Sequence, residues 1–339
     1  MEIWKLCLNI SNKNGESTMS DRINLILGTM TIGEQIFGND VKEMIQCFLN
    51  GGYTELDTAY VYNEGECEKL LGNALKDMDR SRYTIDTKVN PRISGRLDKE
   101  AVLTQLNESL QRLKIDKVDT LYLHFPDPET PVESALEGCA QLYEEGKFSE
   151  LGLSNFPAWM VAEVYHICKS HGWMLPKVFE GLYNPLSRHA ERELDRALDY
   201  YGMRFYAYNP LAGGMLTNKY SSKERTIEEG RFTNRPNYQK RYWKDSYFNA
   251  VEKIKDVCAE CEIDIVEAAY RWLAYHSMLK AERGDGIIVG ASRVDQLEKN
   301  METVQKGPLP EKLVEVINEA WNISKPDAPE YFTYYTPKK

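Results

Sequence analysis

No apolar run in this 339-residue chain approaches the ~20 residues needed to span a bilayer. Basic residues are in deficit: 42 Lys and Arg stand against 52 Asp and Glu, a net charge of −10. Like charges repel, so neither nucleic acid nor an anionic membrane is expected as the main partner. A phosphorylated small molecule remains open, because it needs only a local positive pocket. Two glycine-rich phosphate signatures are missing: no GxGxxG follows a strand, and no GxxxxGK[ST] occurs. Both absences count against a doubly wound dinucleotide fold. Seven scattered cysteines, an odd number, read as reduced thiols of a reducing compartment. The one close pair, Cys258 and Cys261, falls in a predicted helix and reads as packing or surface thiols, so no metal site is expected. Residues 1–18 are polar and lack the apolar core of a secretory signal. An unstructured extension is expected there, with Met19 as an alternative start, and a cytoplasmic location follows by default.

What the chain does have is alternation. Short apolar runs of strand length alternate with amphipathic segments almost throughout. Strands are predicted at 23–27, 53–59, 84–88, 118–124, 150–154, 178–183, 204–209 and 286–290. Helices are predicted at 40–50, 66–76, 99–113, 132–145, after Pro157 as a first-turn proline, and at 191–201, 246–260, 266–275 and 294–303. Eight strand–helix repeats without a composition break predict a (β/α)8 TIM barrel over residues 19–339, a single domain with its site at the strand carboxyl ends. The stretch from Pro210 to Asp245 lacks clear periodicity and is too long for an ordinary connection, so it reads as a lid or binding loop.

Asp57, Lys88 and His124 end three successive strands, and Tyr62 follows the first in its loop. Their gaps, 88 − 57 = 31 and 124 − 88 = 36, each match one strand–helix unit, which brings the four side chains to one mouth. A phenol ordinarily titrates near pH ~10, and an adjacent ammonium lowers that value. Lys88 fits that role, with Asp57 holding it charged. His124 could hydrogen-bond a substrate carbonyl oxygen while Tyr62 donates its proton, which is general acid catalysis. Taken singly, each residue has a plainer explanation as a cap, a solvated lysine, a core histidine or one tyrosine of 21. The arrangement needs a source of hydride.

The segments Glu55-Leu-Asp-Thr-Ala-Tyr-Val-Tyr62-Asn-Glu-Gly65, Lys88-Val-Asn-Pro91 and Tyr122-Leu-His124 resemble the aldo-keto reductases. So do Gly152-Leu-Ser-Asn155, Tyr208-Asn-Pro-Leu-Ala-Gly213-Gly214, Gly230-Arg-Phe232 and Gly290-Ala-Ser292. Phe125 to Pro131, and Arg271-Trp272 with His276-Ser277, are similar to the aflatoxin aldehyde reductase (succinic semialdehyde reductase) branch. The resemblance implies a catalytic tetrad of Asp57, Tyr62, Lys88 and His124, with His124 also facing substrate. It implies NADPH as cofactor, Ser154 and Asn155 at the nicotinamide carboxamide, Glu180 beside the nicotinamide, and Asp57 as a further cofactor contact. Asn209, Pro210, Leu211, Gly213, Gly214 and Lys219 would wrap the pyrophosphate, with Arg231 binding cofactor charge. Ser292, Arg293, Gln296 and Asn300 would hold the adenosine 2′-phosphate at a helix start, where free N–H groups favour an anion. An ordinary helix cap is the alternative for Ser292. Tyr238 and Arg241 are the substrate-side candidates, and a solvated lid face is their alternative.

Two departures from the family pattern stand out. Glu180 occupies the place of a glutamine; a carboxylate accepts from the carboxamide but cannot donate, and its charge favours the oxidised ring. The branch ends in Tyr-Phe-Arg, an arginine linked to carboxylate-bearing substrates, whereas Tyr331-Phe332 is followed here by Thr333. Succinic semialdehyde is therefore expected to be a weaker substrate than an uncharged aromatic aldehyde. The implied function is reduction of aldehydes, with dialdehydes, semialdehydes and reactive ketones in reach, by a homodimer. The alternative is an NADPH-binding regulatory subunit resembling the potassium-channel β subunits. A Schiff-base aldolase built on Lys88 is less favoured, because a lysine paired with Asp57 stays protonated.

Overall fold

The computed structural model describes residues 22–220 and 231–336. Residues 1–18 and the side chain of Arg231, both assigned roles above, lie outside what is described. The strands are β1 (Asn24–Gly28), β2 (Glu55–Asp57), β3 (Thr84–Val89), β4 (Thr120–Leu123), β5 (Glu150–Ser154), β6 (Pro176–Leu182), β7 (Arg204–Tyr208) and β8 (Gly286–Val289). They pair in parallel in chain order, and β8 closes on β1, so the barrel has no free edge. Between and after them run α1 (Asn39–Asn50), α2 (Glu66–Leu75), α3 (Pro91–Ser94), α4 (Lys99–Leu113), α5 (Val132–Glu144), α6 (Ala158–His171) and α7 (Leu194–Tyr201). The chain continues through α8 (Arg231–Asn234), α9 (Pro236–Tyr242), α10 (Asp245–Glu260), α11 (Ile265–Tyr275), α12 (Val294–Val304) and α13 (Glu311–Ser324).

The main core lies between the strands and the helix ring, where apolar residues at i, i+3 and i+4 face inward. On α4 these are Val102, Leu106, Leu110 and Leu113. The barrel interior is a second, smaller cluster of Ile26, Tyr122, Val178, Tyr206 and Ile288. Glycine makes room for it. A Cβ on Gly152 would lie 2.4 Å from the Tyr122 ring, and one on Gly286 would lie 2.3 Å from Ile26. Toward the strand starts the interior turns polar: Tyr206 donates to Glu55 at 2.9 Å, and Arg204 pairs with Glu150. Buried Glu68 ties the ring to the barrel, accepting from Thr87 of β3 at 2.6 Å and from Arg112 of α4 at 2.7 Å.

Several boundaries differ from expectation. β4 stops at Leu123, so His124 stands one residue beyond its strand, though its N–H still reaches Val89. Pro157 is the cap before α6 rather than its first turn. The segment read as one long loop carries α8 and α9, both too short to show a period. Helix α13 was not anticipated, although it buries Leu313, Val316, Ile317, Ala320 and Trp321 at helical spacing. It lies past the eighth repeat, where the strand–helix rhythm gives no cue.

Candidate active site

Lys88 is the buried centre of the site. Its ammonium pairs with Asp57, donates to the Thr58 carbonyl at 2.9 Å and lies 3.1 Å from Glu180 Oε2. Adjacent parallel strands β2 and β3 bring the first two together, and β6 faces them across the barrel. The ammonium also lies 5.4 Å from the centre of the Tyr62 ring and 5.3 Å from that of Tyr122. Tyr62 opens a tight turn whose next two residues, Asn63 and Glu64, take left-handed conformations. Asn63 suits that region better than most residues. Its amide anchors the turn to the loop after β1, donating to the carbonyls of Met30 at 3.1 Å and Ile32 at 2.6 Å.

The charges do not follow the sequence expectation in one respect. Tyr62 was expected to be unusually acidic, yet its pKa stands well above the ordinary tyrosine value. Burial dominates; Lys88 lowers the value, while Asp57 and Glu180 raise it. Tyr62 is therefore protonated at neutral pH. Burial likewise opposes the charge on Lys88, but Asp57, Glu180 and Tyr62 outweigh it and hold the ammonium well above its usual range. A lysine so firmly protonated is no Schiff-base nucleophile.

His124 is neutral: burial, then Lys88 and Arg92, push its pKa well below the normal range. Its tautomer follows from Asn90. The Asn90 Oδ1 accepts from the Arg92 N–H at 2.9 Å, which turns its amide nitrogen toward His124 Nδ1, 3.1 Å away. Nδ1 is thus the acceptor, and the ring proton sits on Nε2, free to donate. The Tyr62 and His124 rings meet edge to face with centres 6.2 Å apart. Sequence reasoning had not assigned Asn90 a role; its cue was its place in Lys88-Val-Asn-Pro91.

The remaining assigned residues fall in three places. Ser154 and Asn155 end β5 beside His124. Asn155, in a left-handed conformation, donates to the His124 carbonyl at 2.9 Å and to Ser154 Oγ at 3.0 Å, and accepts from Tyr208 at 2.7 Å. Glu180 ends in the barrel interior, turned toward Lys88. Asn209, Pro210, Leu211, Gly213 and Gly214 follow β7, and Asn209 contacts Tyr238 and Tyr242 of α9 at 3.2 and 3.3 Å. A Cβ on Gly213 would sit 2.7 Å from the Tyr238 ring, and the residue has φ +69°, so only glycine fits. Lys219 is exposed nearby, its ammonium 5.7 Å from the Tyr220 ring. Tyr238 is buried and Arg241 half-buried against Tyr208, at the mouth rather than on a solvated face. Ser292 and Gln296 bond to each other at the start of α12 (3.1 and 3.2 Å), while Arg293 holds Asp295 at 2.9 Å. Ser292 is not the cap of α12; Arg293 occupies that position. Asn300 is buried about two turns after Arg293, against Tyr270 at 3.4 Å.

Two further segments reach the mouth. Arg92 lies 4.3 Å from the Phe125 ring, which stacks on His124. The chain after α13 returns across the site: Thr333 N–H donates to the Asn155 carbonyl at 3.1 Å, and Tyr335 N–H to that of Pro126 at 2.9 Å. By contrast, Arg271 and His276 are structural. Arg271 donates to the carbonyls of Gly307 and Pro308, and His276 accepts from Leu309 N–H at 2.8 Å.

A closed parallel barrel with an Asp–Lys–Tyr–His group at its mouth defines a class, and sequence comparison agrees with it. The sequence model of the Aldo/keto reductase family matches residues 24–322, and the chain belongs to that family of oxidoreductases. It is 42% identical over 322 residues to aflatoxin B1 aldehyde reductase member 2 of Rattus norvegicus, covering 92% of this chain and 88% of the relative. It is 41% identical over 318 residues to aldo-keto reductase family 7 member A3 of Homo sapiens, covering 91% and 96%. It is 35% identical over 314 residues to oxidoreductase sirO of Leptosphaeria maculans, covering 90% and 91%. Enzymes of the family use nicotinamide cofactors.

Proposed function

We propose that this chain is an NADPH-dependent reductase that converts aldehydes, dialdehydes, semialdehydes and reactive ketones to alcohols. The observation that carries the reading is a buried, charge-paired Lys88 beside a protonated Tyr62, whose ring meets that of a neutral His124. The residues present fit a nicotinamide nucleotide. Ser154 Oγ accepts from Asn155, leaving its own O–H to donate to a carboxamide. Gly213 and Gly214 let backbone approach a phosphate closely. The start of α12 offers N–H groups to an anion, and the space beside Gly290 is open. When bound, the nicotinamide supplies the hydride.

The protein's own residues do the rest. His124 Nε2–H orients the carbonyl oxygen. As negative charge grows on that oxygen, Tyr62 gives it a proton, and the Lys88 ammonium stabilises the phenolate left behind. Asp57 keeps Lys88 charged and aimed. The family resemblance and the relatives' names support aldehydes as substrates, and the cytoplasm and a homodimer remain our reading of setting and assembly.

The test is NADPH oxidation with 4-nitrobenzaldehyde. Wild type should give multiple turnovers at micromolar enzyme or less. Tyr62→Phe should lose roughly 10²- to 10⁴-fold in kcat while NADPH binding, followed by fluorescence, persists. Full turnover in Tyr62→Phe would refute the assignment, and a wild type that stalls after one turnover would favour the regulatory-subunit alternative.

A further inference from the structure

We propose that Glu180 is a positioning residue: as the second carboxyl beside the Lys88 ammonium, it sets how readily Tyr62 releases its proton. The inference rests on the reductase reading and concerns how the same site responds to pH.

Glu180 lies near the carboxyl end of β6, in register with Ser154 of β5 and Tyr206 of β7. It is 3% exposed. Its Oε2 stands 3.1 Å from Lys88 Nζ, but no donor is directed at that oxygen. The ammonium's closer bonds go to Asp57 and the Thr58 carbonyl, so Glu180 is left with the weakest share of one cation. Two carboxylates therefore converge on a single ammonium. Ionising both would leave a net negative charge walled off from water, which is costly.

The groups that face Glu180 do not relieve that charge. Asp57 comes from β2 and Lys88 from β3, Tyr62 from the loop after β2, Tyr122 from β4, and Tyr206 and Tyr208 from β7. Lys88 is the one cation among them. Deeper in the barrel Asp86 is a further buried acid, and Arg204, which donates to Tyr206 at 2.9 Å, is already paired with Glu150. Burial first, and then Asp57, push the Glu180 carboxyl up to about 8, against the pull of Lys88.

The two charge states act differently. Protonated, Glu180 can both donate and accept, as a primary amide does with one more N–H, and leaves Lys88 to Asp57 and Tyr62. Ionised, it adds a negative charge beside the phenol, which raises the Tyr62 pKa further and makes proton donation harder. The same charge stabilises an oxidised, positively charged nicotinamide ring. Carbonyl reduction should thus fade as pH rises through the Glu180 titration while alcohol oxidation gains.

The experiment compares wild type with Glu180→Gln, which keeps size and shape, in pH profiles of kcat and kcat/KM for 4-nitrobenzaldehyde reduction. For a group titrating at about 8, wild-type reduction should fall on the order of tenfold between pH 7 and pH 9. Glu180→Gln should lose that limb, so the variant-to-wild-type ratio should climb about tenfold across the window. Superimposable profiles would overturn the inference. Should the variant fold poorly, infrared difference spectra of wild type labelled with ¹³C-glutamate decide. Loss of a protonated glutamic acid band between pH 7 and 9 supports it, and no such band refutes it. A wild type without turnover at any pH would sink the reductase reading instead, and the infrared result would still judge Glu180.

Discussion

Arg92 brings positive charge to the mouth of the barrel, against the Phe125 ring that stacks on His124. Burial, and then Arg241, lower its pKa, so the two guanidiniums repel across the site entrance. No carboxylate pairs with Arg92 among the described residues, whose nearest ring contact is Phe125. A substrate carrying a carboxylate would relieve that repulsion. Thr333 removes one cation expected of the branch, but Arg92 and Arg241 still place positive charge at the mouth. Arg92→Met is expected to raise KM for succinic semialdehyde about five- to tenfold, roughly 1 kcal/mol, with little change for 4-nitrobenzaldehyde. Equal changes for both substrates would remove Arg92 from substrate selection. Residue chemistry also revises the idea of a permanently acidic phenol. The ammonium works against a larger desolvation, which keeps the phenol protonated.

Among the elements, the short helices after β7 matter most. Arg235, just before α9, pairs with Glu34 of the loop after β1 and reaches Asn63 Oδ1 at 3.2 Å. Asn63 is the residue that holds the Tyr62 turn, so one guanidinium links the segment before α9 to the loop after β1 and to the loop bearing Tyr62. Arg235→Ala should loosen both, raising the Kd for NADPH about fivefold, near 1 kcal/mol for a part-exposed pair, and lowering kcat together with it. An unchanged Kd and kcat would show the link to be incidental. This connection was not legible in the sequence, because Glu34, Asn63 and Arg235 are about 30 and 170 residues apart and nothing local joins them. The strand ends were legible, since each carries its own apolar run and its own polar terminus.

At the scale of the whole molecule, the barrel interior is a column of acids with too few cations. Asp86 of β3 is fully buried; its Oδ1 accepts from Thr120 N–H at 3.1 Å, and its Oδ2 accepts no hydrogen bond, with the Glu55 carboxyl beside it. Burial, and then Glu55, hold its pKa well above the usual carboxylate range. The folded state therefore keeps a proton that the unfolded chain releases above pH ~4. Stability from this group is full below that pH and is lost as pH rises toward the folded value. Asp86→Asn keeps the bond from Thr120 and carries no charge, so it should melt higher than wild type at pH 8, by roughly 2–4 °C for each kcal/mol recovered. The gap should close near pH 4. Melting curves that coincide at both pH values would show that Asp86 shares its charge more comfortably than its surroundings indicate.

Periodicity and the polar ends of apolar runs were enough to specify eight strands, their order, and Asp57, Lys88, His124 and Tyr62 at one rim, because these depend on local pattern repeated at regular spacing. The protonation states were beyond its reach. Neutral His124 with its proton on Nε2, the fully protonated Tyr62 and the two carboxylates sharing Lys88 arise from burial and from neighbours on other strands. The tail across the mouth and the Arg235 link are likewise long-range, made by segments whose local sequence carries no mark of the surface they meet.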